Sequence, residues 1–312
     1  MAPTSTVAVI DIGSNSIKIL VASRGPDGRV QTLHWRTVDA RISAGISRKK
    51  PDLSAEGMDR GVAAIRELLA DATRFSPQRI VLAATSAVRD AQNSADFSAR
   101  VREATGHDIR ILTGEEEANF IGRGLTCDPA LQHLRDFCVF DLGGGSLEML
   151  SFRDRRIEQA TSLKLGCVRL TERFLVYPEQ PLSSHHRQEI MQYVLDQLTK
   201  AGLGTWAPPE SEAVATGGTM TTARAILAAR AGVSLEESDS FVTVAQLRQL
   251  LAIVGAQPLE RRREIPGLPA ARADVFPTAL ATLIVVANVG RFTGFRHSLY
   301  NLRYGLADEA LQ

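Results

Sequence analysis

Alternating, β-branched apolar residues open this chain in two bursts, "STVAVIDIG" and "NSIKILVAS", with a polar break between them at Gly13–Ser16. That pattern predicts two strands joined by a tight turn. It returns in "DFCVFDLG" and "GSLEMLSF", where Asp11, Gly13 and Ser16 reappear as Asp141, Gly143 and Ser146, an offset of 130 residues. After each hairpin the period lengthens. Met58, Val62, Ile65 and Leu69 lie on one helical face, so a helix is expected over about 55–73. "RIVLAAT" reads as a buried strand, and Ser94 as the cap of a helix that carries Phe97 and Val101 and stops at Gly106. "DIRIL" is a further strand, and "TGEEEANFIGRGL" opens a helix with the capping box Thr113/Glu116. In the second half "SEAVAT" reads as a strand, "GGTMTTARAILAARAG" as a turn and helix, and "FVTVAQLRQLLAIVG" as a capped helix. "VFPTALATLIVVANVGRF" reads as a buried helix too short to cross a membrane. A hairpin followed by βα units, twice over, predicts two α/β domains related by duplication. The boundary is expected within about 122–136, which divides the chain into 1–124 and 125–312.

Composition narrows the class. The 312 residues are 44% hydrophobic and 23% charged, and no apolar run reaches the length of a membrane span. No basic segment precedes the first apolar stretch, so that stretch reads as a strand and not a leader. Cys127, Cys138 and Cys167 are odd in number and lack CxxC spacing, which points away from structural disulfides and zinc and toward a reducing, cytoplasmic setting. With a net charge of +1, neither a nucleic-acid partner nor a membrane partner is expected. The basic clusters Arg48–Lys50, Arg153/Arg155/Arg156 and Arg261–Arg263 read as three solvated loops.

The doubled turn carries the chemistry. Glycine lets backbone N–H groups approach a ligand, and successive N–H groups in a turn form an anion-binding nest. Ser16 and Ser146 add hydroxyl donors. The acid beside each turn repels phosphate but can hold a divalent cation that bridges to it. Two such turns on facing domains would clamp a phosphate chain in the cleft between them. Asp141 and Glu148 lie across one hairpin, with Glu148 on the face of Ser146; with phosphate oxygens and water they make a Mg²⁺ site. The first repeat has Lys18 in place of Glu148, so the halves are not equivalent: the second reads as the metal side and the first as phosphate-binding. In "TGEEEA", compensation of the helix dipole accounts for Glu115 and Glu116 without singling out Glu117. Neighbouring helical residues point about 100° apart, so the three acids do not share one task.

"DIGSNSIKILV", "ATSAVRDAQN", "TGEEEA", "DLGGGSLE", "SLKLGCVRL" and "ATGGTMTTA" stand in the order found in the exopolyphosphatase/guanosine pentaphosphate phosphohydrolase family, which this chain resembles from about residue 6 to 308. The family belongs to the actin/Hsp70/sugar kinase superfamily, so the resemblance implies two duplicated ribonuclease-H-like domains around an interdomain cleft. It implies that Glu117 is the general base and that Arg89 stabilises charge on the transferred phosphoryl group. It places Mg²⁺, or Mn²⁺ in its stead, on Asp141 and Glu148, with Asp11 as the equivalent acid of the first repeat. Phosphate binding falls to Gly13, Ser14, Asn15 and Ser16, to Gly143, Gly144, Gly145 and Ser146, and to Lys164 and Arg169. Gly217, Gly218 and Thr219 join them, at a turn that lies by the nucleotide in related kinases. Asn93 is expected to orient its loop, and Ser162 and Gly166 complete the pattern around Arg169.

Two departures bear on substrate detail. Thr278 and Ala279 stand where the family commonly has two glycines, and Tyr304 where an acid is usual. Side chains at 278 and 279 are expected to narrow the cleft or add a hydroxyl. His185 and His186 read as solvated residues at a helix start. The expected activity is Mg²⁺-dependent release of terminal orthophosphate from inorganic polyphosphate. The alternative within the family is conversion of guanosine pentaphosphate to the tetraphosphate. A kinase acting on a small acceptor and a non-catalytic phosphate sensor are the other classes, and the intact acids argue against the sensor. The chain runs out soon after "YGLADEAL" and carries little net charge, so a short binding path, distributive cleavage and a preference for short chains are expected. A homodimer is expected by analogy with the fold class.

Overall fold

The computed structural model describes residues 5–206 and 211–312. Strand β1 (Thr6–Ile12) turns into β2 (Ile17–Arg24) and β3 (Val30–Val38), followed by α1 (Ala55–Thr73), β4 (Arg79–Ala84), the short α2 (Ser86–Asp90), α3 (Ser94–Thr105), β5 (Ile109–Ile111) and α4 (Gly114–Thr126). The pattern then restarts with β6 (Phe137–Leu142), β7 (Leu147–Arg153) and β8 (Arg156–Leu163), and α5 (Cys167–Phe174), α6 (Ser184–Lys200) and α7 (Leu203–Trp206) follow. Next come β9 (Glu212–Thr216), α8 (Gly217–Ala231), β10 (Phe241–Thr243), α9 (Val244–Gly255), α10 (Leu259–Arg262), α11 (Phe276–Gly290), β11 (Gly294–His297) and α12 (Leu302–Ala310).

The first sheet has the order β3-β2-β1-β4-β5, and the second has β8-β7-β6-β9-β11 with β10 added at the edge. In each, the first three strands form an antiparallel meander and the next two run parallel to the first. Tight turns join the antiparallel strands and helices cross over between the parallel ones, as strand direction requires. Both sheets therefore carry the ribonuclease-H-like order, and the duplication expected from the doubled hairpin holds at the level of topology. Strand β1 is buried along its whole length, as a central strand covered on both faces must be.

Most expected elements appear within a residue or two of their expected bounds, and three differ. Thr243, capping α9, follows a short strand, so "FVT" is β10 and not helix. The cap position before α3 is Asn93, whose side chain turns away from the helix to bond both the N–H and the carbonyl of Leu53, each at 2.9 Å. The helix of the "GGTMTTA" segment begins at Gly217 itself, with Thr216 at the cap position.

The chain divides into two units, residues 1–132 with 300–312, and residues 133–299. The division differs from 1–124 and 125–312 for a physical reason. Helix α12 returns to pack on α4, and the crossing is glycine against backbone. A Cβ on Gly124 would overlap the Asn301 carbonyl, and one on Gly305 would overlap that of Phe120. Asp308 of α12 accepts from Arg24 Nη1 and Arg123 Nε, each at 2.7 Å. Burial alone would raise its carboxyl; the two guanidinium bonds more than offset that and hold it below the usual range. Tyr304 bonds Thr32 on β3 through its hydroxyl at 2.8 Å and lies against Tyr300, so this departure from the family pattern ties α12 to the first sheet.

In the second unit α11 is buried from Phe276 to Ala287, which explains an apolar pattern with no polar face. Thr171 and Thr278 share a hydrogen bond of 2.9 Å, and Thr282 donates to the Thr278 carbonyl. The hydroxyl at 278 is thus engaged between α5 and α11, and Ala279 is buried beside it. Of the basic clusters, Arg262 is not solvated. It is 1% exposed and donates to the carbonyls of Pro178, Gln180, Val254 and Gln257. A buried guanidinium needs such partners, and here it ties two segments of the unit together. Among the described residues no helix is long and apolar enough to cross a membrane.

Candidate active site

In the first unit β1, β4 and β5 run parallel, so their carboxyl ends share one edge of the sheet. Each end delivers a piece of the site. After β1 comes the turn, closed by Gly13 N–H donating to the Ser16 carbonyl at 3.2 Å. A side chain at Gly13 would press on that carbonyl, which is why glycine stands there. Asp11, Ser14, Asn15 and Ser16 are all buried. After β4 comes α2, whose Ser86 hydroxyl lies 3.2 Å from that of Ser14. After β5 comes α4, which carries the acids.

The three glutamates have three environments. Glu115 is exposed. Glu116 closes the capping box on Thr113, and that backbone bond, with help from Arg110, pulls its carboxyl down. Glu117 is only 6% exposed and its Oε2 accepts from Arg89 Nη1 at 2.6 Å. The same guanidinium nitrogen donates to the Leu112 carbonyl at 3.0 Å, so Arg89 is fixed to the end of β5 as well as to the acid. Ser14, Ser86, Arg89 and Glu117 therefore form one connected line along the sheet edge.

The second unit repeats the turn with a different surround. Gly143 N–H donates to the Ser146 carbonyl at 3.0 Å. The amino end of α5 closes on the three glycines: Cys167 N–H donates to the Gly143 carbonyl, and Val168 and Arg169 N–H to that of Gly144. The approach needs Gly166, where any Cβ would overlap Gly144 and Gly145. Arg169 is buried and its Nε donates to the Gly145 carbonyl at 2.9 Å, so it braces the turn from behind. Thr219 likewise gives its hydroxyl to the Leu142 carbonyl at 2.9 Å. Lys164 is exposed just beyond β8. These contacts bring the expected residues of this turn together, but they engage Arg169 and Thr219 with the protein's own carbonyls.

Asp141 and Glu148 are direct cross-strand partners, so both carboxylates project from one face of the sheet. Glu148 is 2% exposed and accepts from the Ser162 hydroxyl at 2.7 Å. The Asp141 carboxylate lies against Gly217, which has φ +82° and no room for a Cβ on that side. In the first unit the matching pair is Asp11 with Lys18, opposite charges where the second unit has like ones. Like charges placed directly opposite are unfavourable unless a cation offsets them. Among the described residues no group of three or more His, Cys, Asp or Glu is arranged to hold a metal. Two carboxylates alone do not make a protein cage, but they suit Mg²⁺, which keeps several waters and takes phosphate oxygens. The donor set fits the ion.

Two residues at this turn escaped the sequence reading. The Arg272 guanidinium lies over Gly218, where a Cβ would overlap it. Its place just ahead of "ADVFPTAL" was the available signal. His297 at the end of β11 is buried, with Nδ1 3.3 Å from Arg224 Nη1 and Nε2 3.1 Å from the Thr221 hydroxyl. Arginine only donates, so Nδ1 accepts and Nε2 carries the proton. The Thr221 hydroxyl in turn donates to the Gly217 carbonyl at 2.9 Å, which links this network to the glycine turn. Burial, then the charge of Arg224, pushes the His297 imidazole down from 6.5 to about 3. An unfolded histidine takes up its proton near pH 6.5, whereas the folded one stays neutral, so stability is full above that pH and falls as pH drops toward about 3. Denaturant titrations between pH 7.5 and pH 5 are expected to show this loss. His297→Gln is expected to flatten that slope; an unchanged slope would assign it to the carboxylates.

Comparison with known proteins agrees with this fold. An exopolyphosphatase from Cytophaga hutchinsonii superposes with a TM-score of 0.88 at 23% identity, covering 98% of each chain. An exopolyphosphatase-like protein superposes at 0.86 with 22% identity, again over 98% of both chains. The PPX-GPPA enzyme of Aquifex aeolicus gives 0.79 at 23% identity, over 98% of this chain and 100% of that one. At these identities the likeness is one of fold. The family itself is set by the sequence match to the Ppx/GppA phosphatase model over residues 20–312, and this chain belongs to that family of phosphatases.

Proposed function

We propose that this protein is a Mg²⁺-dependent exopolyphosphatase that releases orthophosphate from the end of a polyphosphate chain. The observation that carries the reading is Glu117, a buried carboxylate fixed by Arg89 at the carboxyl ends of the parallel strands, where α/β sheets place their ligands. Its two neighbours are engaged or exposed, so Glu117 takes the proton from the attacking water. Oxygen of that water bonds to the terminal phosphorus, the anhydride P–O bond breaks, and the shortened chain leaves with the electron pair. Arg89 orients the acid and adds positive charge where negative charge builds up. In the first unit the turn at Gly13–Ser16 would supply N–H and hydroxyl donors to non-bridging oxygens, and the turn at Gly143–Ser146 carries the same kinds of donor in the second. Asp141 and Glu148 would hold Mg²⁺, which when bound neutralises phosphate oxygens and polarises the phosphoryl group. Preference for short chains follows from a net charge of +1, which offers a long polyanion little attraction beyond the site.

Phosphate release measured side by side from polyphosphate and guanosine pentaphosphate tests the substrate. The expected result is a higher kcat/KM on polyphosphate, loss of activity in chelator, and recovery with Mg²⁺ or Mn²⁺. On a gel, a long chain should shrink through a ladder of intermediates. A higher kcat/KM on guanosine pentaphosphate overturns the substrate, and full activity in chelator overturns the metal.

A further inference from the structure

The loop that follows β3 carries a second group of anion-seeking side chains. Ile17 and Val38 are paired across β2 and β3, so the chain leaves β3 beside the Gly13–Ser16 turn. There Arg41 N–H donates to the Asn15 carbonyl at 2.9 Å, and its Nε donates to Asn15 Oδ1 at 3.2 Å. Arg60 of α1 pins the loop in place through the carbonyls of Ala40 and Arg41, each at 2.9 Å. Arg41 itself is held at φ +38°, a left-handed conformation that few residues other than glycine adopt.

This bracing has a consequence for Asn15. Arginine only donates, so the amide oxygen must face Arg41 and Nδ2 must point elsewhere. Nδ2 is buried and has no hydrogen-bond partner among the described residues, in a residue 6% exposed. Two residues beyond Arg41, the Ser43 hydroxyl is also buried without a partner among the described residues, in a residue 2% exposed. Buried polar groups are rarely left unpaired, and each one that is calls for a cause such as a ligand. Here the two unpaired groups sit on segments joined by the Asn15–Arg41 bonds, and the Arg41 guanidinium lies against Asn15. An amide N–H, a hydroxyl and a cation are a donor set suited to an oxyanion.

We propose that Asn15 Nδ2, the Ser43 hydroxyl and the Arg41 guanidinium form an oxyanion subsite that extends the Gly13–Ser16 turn and takes a non-reacting phosphoryl group of the substrate. That the oxyanion belongs to a condensed phosphate rests on the function proposed above. The subsite makes Arg41 and Ser43 determinants of affinity, not of the chemical step.

Ser43→Ala separates this role from a structural one. Removing an unpaired buried hydroxyl leaves the ligand-free protein as stable or more stable, whereas losing one donor to a ligand weakens binding by about five- to tenfold. Tripolyphosphate binding would be measured by calorimetry with Mg²⁺ in the Glu117→Gln background, with and without Ser43→Ala, beside thermal melts of the ligand-free proteins. The expected result is an equal or higher Tm together with weaker binding, and in the active protein a raised KM with kcat kept. Arg41→Lys, which keeps the charge but not the fork that holds Asn15, is expected to weaken tripolyphosphate further. Unchanged affinity on Ser43→Ala overturns the subsite and leaves the hydroxyl facing water; a fall in both Tm and affinity overturns it in favour of a structural role. No tripolyphosphate binding by the Glu117→Gln protein also overturns it. If tripolyphosphate binds with the expected loss on Ser43→Ala, yet the active protein releases no phosphate from it, the subsite stands and the exopolyphosphatase reading falls.

Discussion

Glu117→Gln is expected to lower phosphate release by about 10²-fold or more, the range for loss of a general base. The substitution barely changes shape. A neutral amide oxygen can still accept from Arg89, and Arg89 keeps its bond to the Leu112 carbonyl, so the guanidinium is not left unpaired. Thermal melts and substrate binding should therefore stay close to those of the parent protein while turnover collapses. Glu116→Gln is the control. Glutamine serves in a capping box as glutamate does, and the pairing with Arg110 that it loses is half exposed and worth little. Turnover should change by no more than about twofold, within the scatter of surface substitutions. If Glu116→Gln is the damaging change, the base has been assigned to the wrong carboxylate.

Gly305→Ala is expected to cost the fold about 3 kcal/mol or more, at the upper end of overpacking penalties, because its Cβ would overlap backbone and not a movable side chain. The overlapping atom is the Phe120 carbonyl on α4, so α12 must lift away from α4. The bonds of Asp308 to Arg24 and Arg123 would loosen with it. A fall in Tm on the order of 10 °C is expected for a chain of this size. Because α4 also positions Glu117, phosphate release should fall before unfolding does. Gly28→Ala makes the comparison. That glycine also has a positive φ, +77°, but nothing lies within 4 Å of a Cβ there, so the cost should be about 1 kcal/mol. Equal melts for the two variants would show that the helix crossing can relax.

Central elements were legible because their patterns are produced by burial on known periods. Strands β1 and β2 are rich in β-branched residues and β6 and β7 in large apolar ones, and α1 spans the expected residues, with Met58 and Ile65 of its expected face buried and Val62 and Leu69 half-buried. Strands β3 and β8 were not read, since as edge strands they are almost wholly exposed or half-buried and show little apolar contrast. The Thr113/Glu116 box was legible because capping is a contact between residues three apart. The roles of Asn93 and Arg262 were not, because their partners are at Leu53 and at Pro178 and Gln180, far away in sequence.

By itself the sequence determined the duplicated α/β plan, the two glycine turns and the family, since each is written in local spacing: a period of two or 3.6, a glycine where backbone must come close, an acid beside it. The tertiary structure decided what each polar group meets. It set Glu117 against Arg89 while Glu116 capped its helix, turned Arg169 and Thr219 toward the protein's own carbonyls, and gave Thr278 and Tyr304 partners within their units. It also returned α12 to α4 and left Asn15 Nδ2 and the Ser43 hydroxyl buried without partners among the described residues. Hydrogen bonds between distant segments leave no period in the sequence, because either partner alone reads as an ordinary polar residue; only the approach of the two segments gives each its role.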